Sequence, residues 1–148
     1  MNLETAFTMD TSSIKFGKGV TKEIGSDFKN MGVKRLMICT DNRVAKLSTM
    51  EVVEASLKKV GLEYEIYSGV SVEPTDVSFL EAIDFAKKGK FDGYLGVGGG
   101  SSMDTVKAAN LYATYPPEDF LDYVNPPIGK GKPVPGPINK VFLLEGDP

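Results

Sequence analysis

Phe91-Asp92-Gly93-Tyr94-Leu95-Gly96-Val97-Gly98-Gly99-Gly100-Ser101-Ser102-Met103-Asp104 is a short apolar run that ends in consecutive glycines and passes straight into a segment of helical period. Phe91 to Val97 has the form of a strand buried on both faces. Met103, Val106, Ala109 and Leu111 then repeat at helical spacing, which predicts a helix over Ser101 to Ala113, stopped by Pro116-Pro117. A strand that turns on glycines directly into a helix is the unit from which parallel sheets are built, and the neighbouring segments fit around it.

Upstream, the same alternation recurs. Val77, Leu80, Ile83 and Ala86 mark a helix closed by Lys87-Lys88-Gly89. Before it, Ser71 to Asp76 reads as a turn in which Pro74 enforces extended geometry and Thr75 or Asp76 can cap. Leu62 to Tyr67 predicts a strand, Met50, Val53, Leu57 and Val60 a helix, and Arg35 to Thr40 a buried strand ending at Asp41. Val20, Ile24, Phe28 and Met31 predict a first helix ended by Gly32, and Ser13 to Phe16 an entry strand. The fold expected is α/β, a doubly wound, Rossmann-like and mainly parallel sheet. Asn125 to Pro137, with five prolines and three glycines, is too broken for a regular element. It is read as a loop leaving the domain, with Val141 to Leu144 able to form one more strand. The division expected is a dinucleotide-binding domain over 1–124 and a Pro/Gly-rich loop with an atypical tail over 125–148.

Composition narrows the chemistry. The chain has 148 residues, 17 basic against 20 acidic side chains, one cysteine and no histidine. A net charge of −3 argues against nucleic acid as a partner, which selects for a basic surplus. The lone Cys39 excludes an internal disulfide and a thiolate zinc site, and its apolar run makes it a small core residue rather than a nucleophile. Without histidine, a Ser-His-Asp or Cys-His mechanism is excluded for this chain, and no catalytic residue and no metal ligand are assigned. No apolar run is long enough for a membrane span.

The glycine segment is a candidate phosphate site. Residues without side chains let a diphosphate approach the backbone, and the unpaired amides and positive dipole of a helix start favour its charge. The competing reading is a turn in which Ser101 and Asp104 form a capping box and bind nothing. The usual Gly-x-Gly-x-x-Gly spacing is absent. In the usual order the ribose-binding acid follows the glycines by about 20 residues, whereas here the best acid at a strand end, Asp41, precedes them. Thr40-Asp41-Asn42 is also good turn chemistry.

Thr40-Asp41 after a buried strand, Glu73-Pro74-Thr75, and Gly98-Gly99-Gly100-Ser101-x-x-Asp104-x-x-Lys107-Ala108 together resemble the nucleotide-binding domain of the iron-containing alcohol dehydrogenase family. The strings at Gly19 to Glu23, Lys107 to Ala113, Asp119 to Val124 and Pro127 to Val134 are similar to a mitochondrial branch of it, and the resemblance covers about residues 5–134. It implies an oxidoreductase that takes hydride from a small hydroxyacid such as 4-hydroxybutyrate. A tightly held NAD(H) passes the hydride to an oxoacid, 2-oxoglutarate, giving succinate semialdehyde and D-2-hydroxyglutarate. By position, Asp41 would bond the adenosine ribose, Thr75 would line the pocket, Gly98, Gly99, Gly100 and Ser101 would hold the diphosphate, and Asp104 would fix the loop.

The same resemblance marks departures. Past the position of Val134 the family continues into a second loop of the Thr-Thr-x-Gly-Thr-Gly-Ser-Glu type and a helical domain whose Asp and three His hold an iron- or zinc-type metal. Here Pro135 to Lys140 stands instead, so the chain is expected to be a truncated, catalytically incomplete form with the metal domain absent. Mitochondrial location follows from the resemblance, with a cytosolic one left open because no Arg-rich presequence is visible, and homo-oligomerisation is also left open. The rival readings are a non-catalytic nucleotide-binding or interaction module, and another member of the wider superfamily such as a glycerol dehydrogenase or dehydroquinate synthase. Lys130 and Lys132 read as solvated loop residues, with attraction of an anionic substrate as the alternative. Tyr112, Tyr115 and Tyr123 are expected to pack at helix ends.

Overall fold

Residues 13–145 are described by a computed structural model. The elements run α1 (Ile24–Asn30), β1 (Arg35–Cys39), α2 (Ser48–Lys59), β2 (Glu63–Tyr67), α3 (Asp76–Gly89), β3 (Gly93–Val97), α4 (Gly100–Thr114) and β4 (Lys140–Leu144). One sheet of order β2-β1-β3-β4, parallel throughout, lies between two layers of helices.

Side-chain alternation explains the layering. In β1, Leu36 and Ile38 face a core shared with Ile24 and Phe28 of α1 and Met50, Val53 and Leu57 of α2. Met37 and Cys39 face the other way, onto Ala82 and Ala86 of α3 and Val106 and Ala109 of α4. Because both faces are covered, β1 and β3 carry apolar residues at nearly every position, whereas edge strand β2 interposes the exposed Glu63 and Glu65. Each fully buried Leu, Ile or Phe contributes roughly 1.5–3 kcal/mol relative to exposure, so the two cores supply the main drive to fold. On β3, an added Cβ at Gly96 would lie 2.9 Å from Val106 Cγ1, so this glycine lets α4 pack close against the strand that feeds it.

Two expectations change. Ser13 to Phe16 forms no strand, and Ile14 and Phe16 are exposed, so two apolar residues without a neighbouring ladder do not suffice. The loop after Asn125 does not run out of the domain but returns to lay β4 beside β3. Its return is held by Asn110, fully buried on α4, whose side chain donates to Asn139 O at 2.9 Å and accepts from Asn139 N at 3.3 Å. Phe142 of β4 then packs edge-on against Phe28 of α1, with ring centroids 4.8 Å apart. Residues 1–12, with the reading of a missing presequence, and 146–148 lie outside the described part. Among the described residues no helix is long and apolar enough to cross a membrane.

Candidate functional site

The chain goes from β1 to β2 on one side and then crosses back to put β3 on the other side of β1. The loops leaving β1 and β3 therefore diverge in opposite directions at their carboxyl ends. In open α/β sheets that divergence makes the crevice in which ligands bind.

Asp41 stands on one side of the crevice. Its Oδ1 accepts from the amides of Arg43 and Val44, both at 2.8 Å, so the carboxylate is held by its own loop while Oδ2 has no acceptor role in that turn. Gly98, Gly99 and Gly100 form the other side. Gly98 has φ 134°, and a Cβ there would lie 2.9 Å from Ser102 Oγ, so both conformation and space favour glycine. Nothing lies within 4 Å of the positions a Cβ would take at Gly99 and Gly100, which face open space. The amides of Gly99, Gly100 and Ser101 have no acceptor among the described residues, because the first helical bonds, from Ser102 and Met103, go to Gly99 O. The two sides meet closely enough that a Cβ at Gly98 would lie 3.8 Å from Val44 Cγ2.

The capping-box alternative is not what forms. Ser101 Oγ donates instead to Val72 O at 2.6 Å, and Asp104 is exposed on α4. That bond brings the loop ending at Thr75 against the helix start. Thr75 itself caps α3: its Oγ1 accepts from Ser78 N at 3.2 Å while Ser78 Oγ accepts from Thr75 N at 2.9 Å. Its hydroxyl is thus already engaged as an acceptor. Thr40, a buried hydroxyl at the end of an apolar strand, is a participant to which local pattern assigns no role. Its Oγ1 donates to Val97 O at 2.8 Å.

Other polar features resolve as structure. Cys39 is fully buried and its thiol is pushed up to about 12 by burial, which suits a core residue. Lys130 and Lys132 stand in an exposed loop, as expected, but their ammonium groups are engaged by carboxylates of the chain itself. Lys130 Nζ donates to Asp122 Oδ1 at 2.8 Å and Asp119 Oδ2 at 2.9 Å, and Lys132 Nζ lies 3.1 Å from the same Asp122 oxygen. Loop composition could not reveal those partners. Lys130, helped by Lys132, holds the buried Asp122 carboxyl down at about 2. Tyr112, in the last turn of α4, and Tyr123, beyond it, pack edge-on, and their hydroxyls donate to Phe120 O and Tyr115 O. A hollow of about 470 Å³ beside β2, lined by Arg35, Glu65, Tyr67, Glu81 and Asp84 among others, contains none of the candidate residues.

The family description "Iron-containing alcohol dehydrogenase" matches residues 11–143. The chain belongs to the iron-containing alcohol dehydrogenase family. Within that family it is 56% identical over 139 residues to the mitochondrial hydroxyacid-oxoacid transhydrogenase of Mus musculus, and 57% identical to that of Homo sapiens. In both cases the match takes in 94% of this chain and 30% of the relative, so the chain spans about 30% of the length of these relatives. Among solved structures, the NADH-dependent butanol dehydrogenase A of Thermotoga maritima superposes with a TM-score of 0.82 at 29% identity, covering 95% of this chain and 34% of that one. An alcohol dehydrogenase from Oenococcus oeni gives a TM-score of 0.63 at 36% identity, covering 68% of this chain and 27% of that one.

Proposed function

We propose that this iron-containing alcohol dehydrogenase domain holds NAD(H) in the crevice between β1 and β3. It would do so as the nucleotide-binding part of a hydroxyacid-oxoacid transhydrogenase, mitochondrial as its relatives are named. The observation that carries the reading is the pairing of a loop-held carboxylate, Asp41, with three amides that have no acceptor among the described residues, at the start of a fifteen-residue helix. A dinucleotide requires both: an acceptor for ribose hydroxyls and donors for a diphosphate.

The fit is good on the chain's own terms. The Asp41 Oδ2 is the ribose acceptor, already oriented by the two amides on Oδ1. Gly99 and Gly100 leave bare backbone where a side chain would keep a diphosphate away, and the amides of Gly99, Gly100 and Ser101 donate to it. Gly98 supplies the turn that aims those amides outward, Ser101 ties down the Val72 loop, and Thr75 borders the pocket by capping α3. Asp104, exposed on the same helix, is assigned a part in shaping the helix start. NAD(H) supplies the hydride acceptance and donation; these residues bind and orient it.

The substrate pair implied is a hydroxyacid such as 4-hydroxybutyrate and the oxoacid 2-oxoglutarate. A metal does not fit here: among the described residues no group of three His, Cys, Asp or Glu is arranged to hold one, and the chain has no histidine. The part proposed for these residues is therefore confined to the nucleotide. Titrating the purified chain with NADH tests the reading. Saturable enhancement of nucleotide fluorescence is expected, and no fluorescence or calorimetric change at millimolar NADH would overturn it.

A further inference from the structure

We infer that Thr40 is a positioning residue of the nucleotide crevice, a crosspiece that fixes the separation of the ribose side from the diphosphate side; the inference rests on the dinucleotide reading above.

Thr40 ends the run Leu36-Met37-Ile38-Cys39, and burying a hydroxyl completely at that point is unfavourable unless it is bonded. The backbone of Thr40 is committed to one side of the sheet: its amide donates to Tyr67 O of β2 at 2.9 Å and its carbonyl accepts from Val70 N at 3.3 Å. The side chain reaches the other way, to Val97 O of β3 at 2.8 Å. The β1–β3 ladder has already ended with the pair Cys39↔Gly96. The Thr40 hydroxyl therefore adds one more rung, made by a side chain, at the level where the two strands part.

The candidate site begins at each end of that rung. Asp41 is the next residue after Thr40, and Gly98 the next after Val97. Strand alternation already turns the Val97 carbonyl toward β1, since the Gly98 amide donates the other way to Leu144 O, and the Thr40 hydroxyl meets it there. The rung thus sets the span between the Asp41 carboxylate and the glycine amides, while the Ser101 amide is open because it lies in the first turn of α4. Valine would fill the same space and keep the strand, but it could not tie the ends.

The test compares Thr40→Val with Thr40→Ser, which keeps the hydroxyl. Three probes are used on the purified chain: NADH, which spans both sides of the crevice, and adenosine and inorganic pyrophosphate, which each touch one. Thr40→Val should weaken NADH about fivefold to tenfold, the loss of one buried hydrogen bond, and Thr40→Ser should restore it to within about twofold. Adenosine and pyrophosphate, followed by ligand-observed NMR, should change less than about twofold, because each needs only one side. Equal weakening of all three probes, or unchanged NADH affinity in Thr40→Val, overturns the inference. Should Thr40→Val fail to fold, Thr40→Ala removes the same donor without a substitute methyl.

Should the unaltered chain bind no NADH, the dinucleotide reading falls, and amide exchange without ligand decides the rung by itself. Thr40→Val should speed exchange at Gly98 and Val44, which flank the tie, and leave core amides of α2 unchanged. Unchanged exchange at both overturns the crosspiece.

Discussion

Acidic side chains stand beyond both ends of α4, Asp41 alone at one and Asp119 with Asp122 at the other, and the two ends are built in opposite ways. At the amino end, Asp41 is held by two backbone amides of its own loop, and the amides of Gly99, Gly100 and Ser101 have no acceptor among the described residues. Beyond the carboxyl end, Asp122 accepts from Lys130 and lies in ion-pair range of Lys132, while Asp119 takes Lys130 as well. One end leaves its amides without an acceptor among the described residues; the other satisfies its carboxylates internally. A buried or half-buried polar group left open is costly unless a ligand or solvent completes it. The difference separates the candidate binding edge from a clamp.

The contrast predicts a double dissociation. The largest effect is expected from Asp41→Asn, which keeps an oxygen for the amides of Arg43 and Val44 but turns the outward arm into a donor. NADH affinity should fall about tenfold to hundredfold, as for loss of hydrogen bonds to a charged acceptor, with the melting temperature unchanged. An unchanged dissociation constant in a fluorescence titration would remove Asp41 from the site. Asp122→Asn should do the reverse, lowering the melting temperature by several degrees and leaving NADH affinity within about twofold, since its partners are structural. Loss of nucleotide binding in that variant, with the fold intact by circular dichroism, would erase the distinction.

A pH series sharpens the clamp further. The Asp122 carboxyl sits at about 2 in the folded chain, below the ordinary 3.8, so its contribution is present above the ordinary value and is lost as pH falls through about 2. Lys130 is pushed up to about 12 by Asp122 and Asp119, so its part holds below the ordinary 10.5 and is lost as pH rises through about 12. Thermal melts of the unaltered chain should therefore drop on the acid side of 3.8, and Asp122→Asn should flatten that drop. The smallest effect is expected at the open end: Ser101→Ala frees the Val72 loop by breaking one exposed hydrogen bond, and should cost NADH affinity about threefold. A larger loss would mean that the Ser101 hydroxyl itself meets the ligand.

Much of the fold is legible in local pattern. The apolar run at Arg35 and the helical spacing of Met50, Val53 and Leu57 correspond to β1 and α2 within a residue or two, and the strand-glycine-helix passage at Gly93 to Thr114 forms as expected. These elements are specified by neighbours three or four positions away, or by alternation along one strand. The return of the chain at β4 depends on Asn110 meeting Asn139 and Phe28 meeting Phe142, contacts that no local period encodes. The roles of Lys130 and Lys132 escape a local reading for the same reason, since their partners lie outside the loop that carries them.

The candidate site divides along that line too. Composition and order alone determined that this chain lacks the imidazoles of a histidine-based mechanism, that glycines follow a buried strand into a helix, and that an acid ends an earlier strand. Tertiary structure decided that β3 inserts beside β1, which brings the Asp41 loop to the glycines, and that Thr40 ties the two strand ends together. It also decided that Ser101 reaches Val72 instead of capping its own helix. Chemical type and local conformation follow from a residue and its near neighbours, while which groups face one another across a crevice depends on strand order, a property of the whole sheet.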